Sequence, residues 1–142
     1  MSVGKTVNIL VVEDDQVDVM AIQRAFAKAR IANPMRFAVD GVDALDILRG
    51  TNGNAPLERP YIILLDLNMP RMGGIELLEH LRNDPVIHDS VVFVMPTSNE
   101  DSDRMAAYGL NVAGYIVKPR VAADFMDVVG MLHSYWRVVE LP

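Results

Sequence analysis

The residues most able to do chemistry in this chain follow directly after its apolar segments. The run VNILVV ends in Glu13, Asp14 and Asp15, the run YIILL ends in Asp66, and the run GYIV ends in Lys118. Carboxylates held close together repel one another unless a cation binds, and Mg²⁺ prefers oxygen ligands and also accepts phosphate oxygens. A lysine beside such carboxylates is a compact positive charge suited to a phosphoryl group. The pattern therefore predicts a cation site that handles phosphate.

Each of these residues alone has an ordinary explanation. A single Asp after a strand is usually a helix N-cap or a turn residue. A lysine before a proline is usually a solvated lysine. A cation site is favoured because acids and a lysine occur together at the ends of several apolar segments.

The elements that must position these residues alternate regularly between strand and helix. Continuous apolar strands that alternate with helices predict a parallel sheet covered on both faces, and right-handed crossovers make it doubly wound. Ligands of such sheets bind beyond the carboxyl ends of the strands, so the acids and the lysine are expected at one edge. The predicted strands are 7–12, 35–39, 61–65, 91–95 and 114–117; the predicted helices are 16–30, 41–48, 75–81, 100–108 and 121–136; a surface loop is predicted at 51–60.

Composition narrows the class of protein. The 142 residues carry 13 Lys and Arg against 19 Asp and Glu, and this acidic balance argues against a nucleic-acid or anionic-membrane partner. The absence of cysteine excludes disulfides and thiolate metal sites. No apolar run is long enough to predict a membrane span, and the first residues do not resemble a secretory signal. We expect one cytoplasmic domain.

At this point the sequence resembles a known family. The strings ILVVEDD, IILLDLNMPRMGGIELL and GYIVKP are similar to the receiver domain of two-component response regulators, over about Asn8 to His133. The resemblance implies an α/β flavodoxin-like doubly wound (βα)5 sandwich, with a parallel five-stranded sheet in the order 2-1-3-4-5.

The resemblance also implies a role for each site residue. Asp66 matches the phosphoacceptor, which takes a phosphoryl group from a histidine kinase. Glu13 and Asp14 match the acidic pair that holds Mg²⁺ together with Asp66 and the backbone carbonyl of Asn68. Asp15 falls one position past this pair and is expected to be the N-cap of the first helix rather than a ligand. Lys118 matches the lysine that pairs with the phosphoryl group.

One position departs from the family pattern. Receivers have a Thr or Ser 30 residues after the phosphoacceptor and 22 before the lysine, and both counts fall here on Pro96. Proline lacks a hydroxyl group, so the hydroxyl that lets the strand-five aromatic, Tyr115, turn inward is either supplied by Thr97 or missing. Neutral drift at Pro96 is the alternative to an altered switch. Ser98 and Asn68 match residues that flank the water that hydrolyses the phosphorylated aspartate.

The end of the chain resembles a particular group of receivers. We expect a receiver domain over 1–135 and a C-terminal tail over 136–142, which with the loop 51–60 resembles single-domain regulators that accompany bacterial phytochrome histidine kinases. In that group the tail joins two protomers, which implies a homodimer. The alternative is that the tail folds back on its own domain. The candidate interface residues are Trp136, Val138, Val139 and Leu141.

Three hypotheses for the function come from different classes. The first is a phosphorylatable receiver that is not an enzyme and signals through protein contacts. The second is a phosphorylation-independent pseudo-receiver, which Pro96 favours slightly. The third, a haloacid-dehalogenase-type phosphatase, needs a second Asp two residues after the first, and the chain has Asn68 there. A DNA-binding role is not expected, since no DNA-binding segment follows.

Overall fold

The computed structural model describes residues 6–67, 69, 71–95, 109–116 and 125–142. Within these ranges, five strands alternate with four helices in the predicted order. The predicted helix 100–108 lies outside them. The elements are β1 Asn8–Val12, α1 Gln16–Lys28, β2 Met35–Ala38, α2 Gly41–Arg49, β3 Tyr61–Leu65, α3 Gly74–Asn83, β4 Val91–Val94, β5 Gly114–Tyr115 and α4 Phe125–Val138.

The five strands form one parallel sheet in the order β2-β1-β3-β4-β5. The register aligns Val12 with Ala38 on one side and with Leu65 on the other, and Leu65 in turn with Val94. The chain therefore leaves β1 and β3 at the same level of the sheet. The predicted fold class and strand order are confirmed.

Alternate residues of the central strands face opposite sides of the sheet. Ile9 and Val11 belong to an apolar cluster with α1 and α4, whereas Leu10 and Val12 belong to a second cluster with α2 and α3. Both faces are thus covered by helices, which explains why the central strands read as continuous apolar runs. The carboxyl ends of the strands remain as the place where polar side chains can gather.

The helix boundaries follow local chemistry. Asp15 caps α1, since its side chain accepts a hydrogen bond from the Val17 N–H at 2.9 Å, as predicted. α1 ends at Lys28 rather than at the predicted Arg30, because Arg30 takes a left-handed backbone conformation with φ of 58°. The predicted third helix is extended slightly at both ends, to Gly74 and Asn83.

The last helix ends later in the chain than predicted. α4 continues to Val138, so the first three residues of the predicted tail are helical. The reason is packing: the apolar spacing of Val129 and Leu132 continues to Trp136, whose ring stacks on Phe26 of α1 at a centroid distance of 6.4 Å. In the described part of the chain, no helix has the length and apolar character needed to cross a membrane.

Candidate functional site

Two buried carboxylates mark the carboxyl edge of the sheet. The Glu13 N–H donates to the Ala38 carbonyl and the Asp66 N–H donates to the Val12 carbonyl, both at 2.9 Å. These hydrogen bonds continue the sheet past the ends of β1 and β3 and fix both backbones. The two residues are only 2% and 3% exposed, which is rare for acidic residues unless they are paired or bind a metal.

Asp14 completes the predicted acidic cluster. Glu13, Asp14 and Asp66 each offer a carboxylate oxygen, and these oxygens lie within 4.8 Å of one another. Two oxygens bound to one Mg²⁺ lie roughly 3–4 Å apart, given a metal–oxygen distance of about 2.1 Å. Asp14 is exposed, which leaves one side of the cluster open to water or to a phosphate. The donor set and its spacing therefore fit a hard divalent cation.

Asp15 supports the cluster without joining it. Its backbone N–H donates to Glu13 Oε2 at 3.2 Å, while its side chain caps α1. The start of α1 is thereby tied to the Glu13 carboxylate, in agreement with the prediction that Asp15 is a cap.

The segment after Asp66 is held tightly against the start of α3. The Gly74 N–H donates to the Leu67 carbonyl at 3.0 Å. A Cβ on Gly74 would lie 2.7 Å from Leu67 Cα and 2.8 Å from the Asp66 carbonyl oxygen, which is closer than real Cβ contacts. Only glycine allows α3 to begin this close to the backbone of Asp66.

A further acidic residue at this edge, Asp40, was missed by the sequence analysis. Asp40 follows β2, is 3% exposed, and caps α2 by accepting a hydrogen bond from the Asp43 N–H at 2.9 Å. Its carboxylate also accepts two hydrogen bonds from Arg71. Burial by itself raises the pKa of Asp40, but the hydrogen bonds from Arg71 and Asp43 outweigh it and hold the pKa below its usual value.

The predicted switch aromatic lies on β5. Tyr115 pairs with Val94 of β4 in the sheet and is half-buried against the cluster that covers the α2 and α3 face. The other residues given a role at the site lie outside the described part of the chain. These are Asn68, Pro96, Thr97, Ser98 and Lys118.

The candidate interface residues divide into two pairs. Trp136 and Leu141 pack against the core cluster on the α1 and α4 face of their own domain. Val138 is 84% exposed and Val139 is 37% exposed. Trp136 and Leu141 thus fold back on their own domain, as in the alternative to a dimer arm. Val138 and Val139 are exposed on the surface of the domain.

This fold and this acidic edge define a class of protein. The response regulator receiver domain family matches residues 9–129, and the chain belongs to that family.

Among its relatives, the chain is similar to phytochrome response regulators. It is 34% identical over 137 residues to the response regulator Rcp1 of Synechocystis, covering 94% of this chain and 92% of Rcp1. Its fold is similar to the crystal structure of the phosphorylated cyanobacterial phytochrome response regulator RcpA, with a TM-score of 0.87, 32% identity, and coverage of 96% and 99% of the two chains. It is also similar to RPA3017, described as acting in red light signaling of R. palustris, with a TM-score of 0.84, 35% identity, and coverage of 96% and 98%. A Mn²⁺-bound structure of Rcp1 matches with a TM-score of 0.81, 30% identity, and coverage of 95% and 98%.

Proposed function

We propose that this protein is a single-domain response regulator that accepts a phosphoryl group on Asp66 from a sensor histidine kinase. The observation that carries the proposal is the cluster of Glu13, Asp14 and Asp66, whose oxygens lie within 4.8 Å of one another. Family membership and the phosphorylated state of the relative RcpA support it.

In the proposed reaction, a carboxylate oxygen of Asp66 attacks the phosphorus of a phosphohistidine. The new O–P bond forms as the P–N bond breaks, and the histidine leaves with the electron pair. A Mg²⁺ held by Glu13, Asp14, Asp66 and the carbonyl of Asn68 would offset the negative charge on the phosphoryl oxygens. The chain's own contribution is to orient the Asp66 carboxylate, whose backbone is fixed by its hydrogen bond to Val12.

Other residues act around the phosphoryl group in this proposal. Lys118 pairs with it, and Asn68 and Ser98 flank the water that later hydrolyses the acyl phosphate. With Pro96 in place of the usual Thr or Ser, the inward turn of Tyr115 is altered unless Thr97 supplies the hydroxyl. A beryllofluoride-bound structure tests this part, because full inward rotation of Tyr115 would contradict an altered switch.

The proposed setting follows from the relatives. The names of RcpA and RPA3017 refer to phytochrome or red-light signalling, and this supports a bacteriophytochrome-type kinase as the phosphate donor. We place the protein in the cytoplasm, with output through protein contacts or a homodimer formed by residues 136–142 rather than through an enzymatic activity of its own. Nucleic acid and membrane are not among the proposed partners.

Phosphorylation by acetyl phosphate tests the central proposal. We expect labelling of the wild-type protein with Mg²⁺, loss of labelling with EDTA, and loss in Asp66→Asn. Asp127→Asn is the matched control, since Asp127 is an exposed acid on α4. Absence of labelling in the folded wild-type protein at saturating Mg²⁺, and also with a histidine kinase as donor, would favour the pseudo-receiver instead.

A further inference from the structure

An ion pair joins two loops at the carboxyl edge of the sheet. The β3–α3 loop, residues 66–73, begins at Asp66 and also contains Asn68. The β2–α2 corner, residues 39–40, contains Asp40. Arg71 of the loop and Asp40 of the corner form the pair, and neither residue has a role in the phosphoacceptor site described above.

The contact is geometrically specific. Arg71 Nε donates to Asp40 Oδ2 at 2.5 Å, and Arg71 Nη2 donates to Asp40 Oδ1 at 3.0 Å. Such a two-point contact between a guanidinium and a carboxylate fixes orientation as well as distance. A backbone hydrogen bond from the Gly41 N–H to the Met72 carbonyl, at 3.0 Å, lies beside it.

The two partners differ in how firmly they are held. Asp40 is 3% exposed and its carboxylate is already fixed by capping α2. The Arg71 side chain is 59% exposed, and the Arg71 backbone has a φ of 61°, a left-handed conformation that residues other than glycine and asparagine adopt infrequently. Asp40 is therefore the fixed anchor, and Arg71 is the point at which the loop is attached to it.

We propose that Asp40 and Arg71 are positioning residues that hold the β3–α3 loop in the conformation required for divalent cation binding beside Asp66. The inference rests on the proposed function, because it concerns the same cation site. The Asp66 N–H bond to Val12 holds the start of the loop, and the Gly74 N–H bond to Leu67 holds its end. Between them, the loop is attached to the β2–α2 corner by this ion pair and to the first residue of α2 by the Gly41 N–H bond to Met72. Loss of the pair removes one of the contacts that hold the loop between Asp66 and Gly74, next to the proposed cation site.

A positioning role and a simple charge effect predict different signs. If the pair acted only through its electric field, removing the positive Arg71 would strengthen cation binding, and removing the negative Asp40 would weaken it. If the pair positions the loop, both single substitutions weaken binding. The two single variants together therefore separate the explanations.

The test is titration calorimetry of the metal-free protein with Mg²⁺ alone, followed by phosphorylation with acetyl phosphate at saturating Mg²⁺. The variants are Arg71→Asn, which suits a left-handed backbone, and Asp40→Asn, which can still cap α2. Arg71→Lys keeps the charge but loses the two-point contact. The matched control is Arg49→Gln, which breaks the Arg49–Asp84 ion pair at the other end of α2.

We expect both asparagine variants to bind Mg²⁺ about tenfold more weakly, which is typical when a residue that supports a metal ligand is replaced. Arg71→Lys should have an intermediate affinity, and Arg49→Gln should bind Mg²⁺ like the wild type. Hydrogen exchange of the metal-free protein over 67–73 should be faster in Arg71→Asn than in Arg49→Gln. Wild-type affinity in both folded variants, or tighter binding in Arg71→Asn, would overturn the inference and leave the proposed function intact. A wild-type protein that neither binds Mg²⁺ nor accepts phosphate would overturn both.

Discussion

Glu13 and Asp66 directly follow the neighbouring parallel strands β1 and β3, and their buried carboxylates offer oxygens within 4.8 Å of each other. Both backbones are part of the sheet's hydrogen bonding, so the sheet holds the two carboxylates at the same edge. A bound divalent cation is the natural counterpart of such an arrangement. Binding of a cation between these carboxylates should therefore be detectable as a rise in the free energy of unfolding.

Magnesium should therefore stabilise the folded protein, and the effect should depend on Glu13. At a Mg²⁺ concentration ten times the dissociation constant, the free energy of unfolding should rise by about 1.4 kcal/mol. Glu13→Gln, which still accepts the hydrogen bond from Asp15, should gain less than half as much at the same concentration because one carboxylate ligand is lost. Thermal unfolding with and without Mg²⁺ measures this effect. Glu79→Gln serves as the control, because Glu79 is an exposed residue of α3. Equal stabilisation of wild type and Glu13→Gln would argue against Glu13 as a ligand.

The ion pair between Asp40 and Arg71 should contribute to stability in a pH-dependent way. The pKa of Asp40 is lowered in the folded state, so its contribution is fully present above the unfolded value of about 3.9 and is lost as pH falls through the folded value. Arg71→Asn should lower the free energy of unfolding at pH 7 only modestly, because solvent screens an ion pair whose arginine is largely exposed. Urea unfolding between pH 7 and pH 3 should show the difference between the two proteins shrinking below about pH 4. A difference that stays constant down to pH 3 would contradict this account.

Two glycines of the chain should respond to alanine in opposite directions. Gly74→Ala places a Cβ 2.7 Å from Leu67 Cα, a backbone atom that cannot move without displacing Asp66. The expected cost is about 1–3 kcal/mol, with weaker Mg²⁺ binding as a second effect. Gly130 lies in α4, and among the described residues no atom other than its chain neighbours and its own helix backbone comes within 4 Å of the added Cβ. Gly130→Ala should therefore stabilise by roughly 1 kcal/mol. Chemical denaturation of both variants provides the comparison, and similar values for the two would show that the close approach at Gly74 is not important.

Arg82 should be important for stability although it is remote from the acidic cluster. Its guanidinium group donates to four backbone carbonyls in the loops that precede β4 and β5, and burial lowers its pKa. Arg82→Met should cost about 2–3 kcal/mol, since hydrogen bonds to a charged group are strong and the carbonyls lose their donors. Arg82→Lys should recover part of this, and exposed Arg49→Gln should cost under about 0.5 kcal/mol. Equal costs for Arg82→Met and Arg49→Gln would refute the role. The four acceptors are His88, Ser90, Leu110 and Asn111.

The sheet and the acidic cluster were predictable from sequence because each depends on local pattern. Apolar runs that end in Glu13 and Asp66 specify buried parallel strands, and parallel strands bring their carboxyl ends together. Asp40 follows β2, a strand whose residues are mostly half-buried. The sequence of this strand is therefore only weakly apolar, and the point where the strand ends is not obvious from the sequence. Its partner Arg71 lies 31 residues later in a loop, and that pairing depends on tertiary structure alone.

The tail was less predictable because two local signals conflict. Val138 and Val139 have β propensity, which by itself favours a segment separate from the helix. The helical spacing from Val129 through Leu132 to Trp136 was also present in the sequence and is the signal that the structure follows. Tertiary packing of Trp136 on Phe26 decided between them, as packing usually overrides propensity over a few residues.

A test of the proposed homodimer must avoid the residues that stabilise the domain itself. Deletion of residues 136–142 would remove Trp136 and Leu141 from the core cluster, so a change in oligomeric state could simply reflect unfolding. Val138 is 84% exposed, and Val138→Asp should leave the unfolding free energy within about 0.5 kcal/mol of wild type. If the tail joins two protomers, this substitution should shift the protein from dimer to monomer in analytical ultracentrifugation. Trp136→Ala should instead cost about 1–3 kcal/mol through lost packing, since the half-buried ring stacks on Phe26. Met20→Asp on α1, also exposed, is the matched control, and a dimer that survives Val138→Asp but not Met20→Asp would assign the interface to α1 instead.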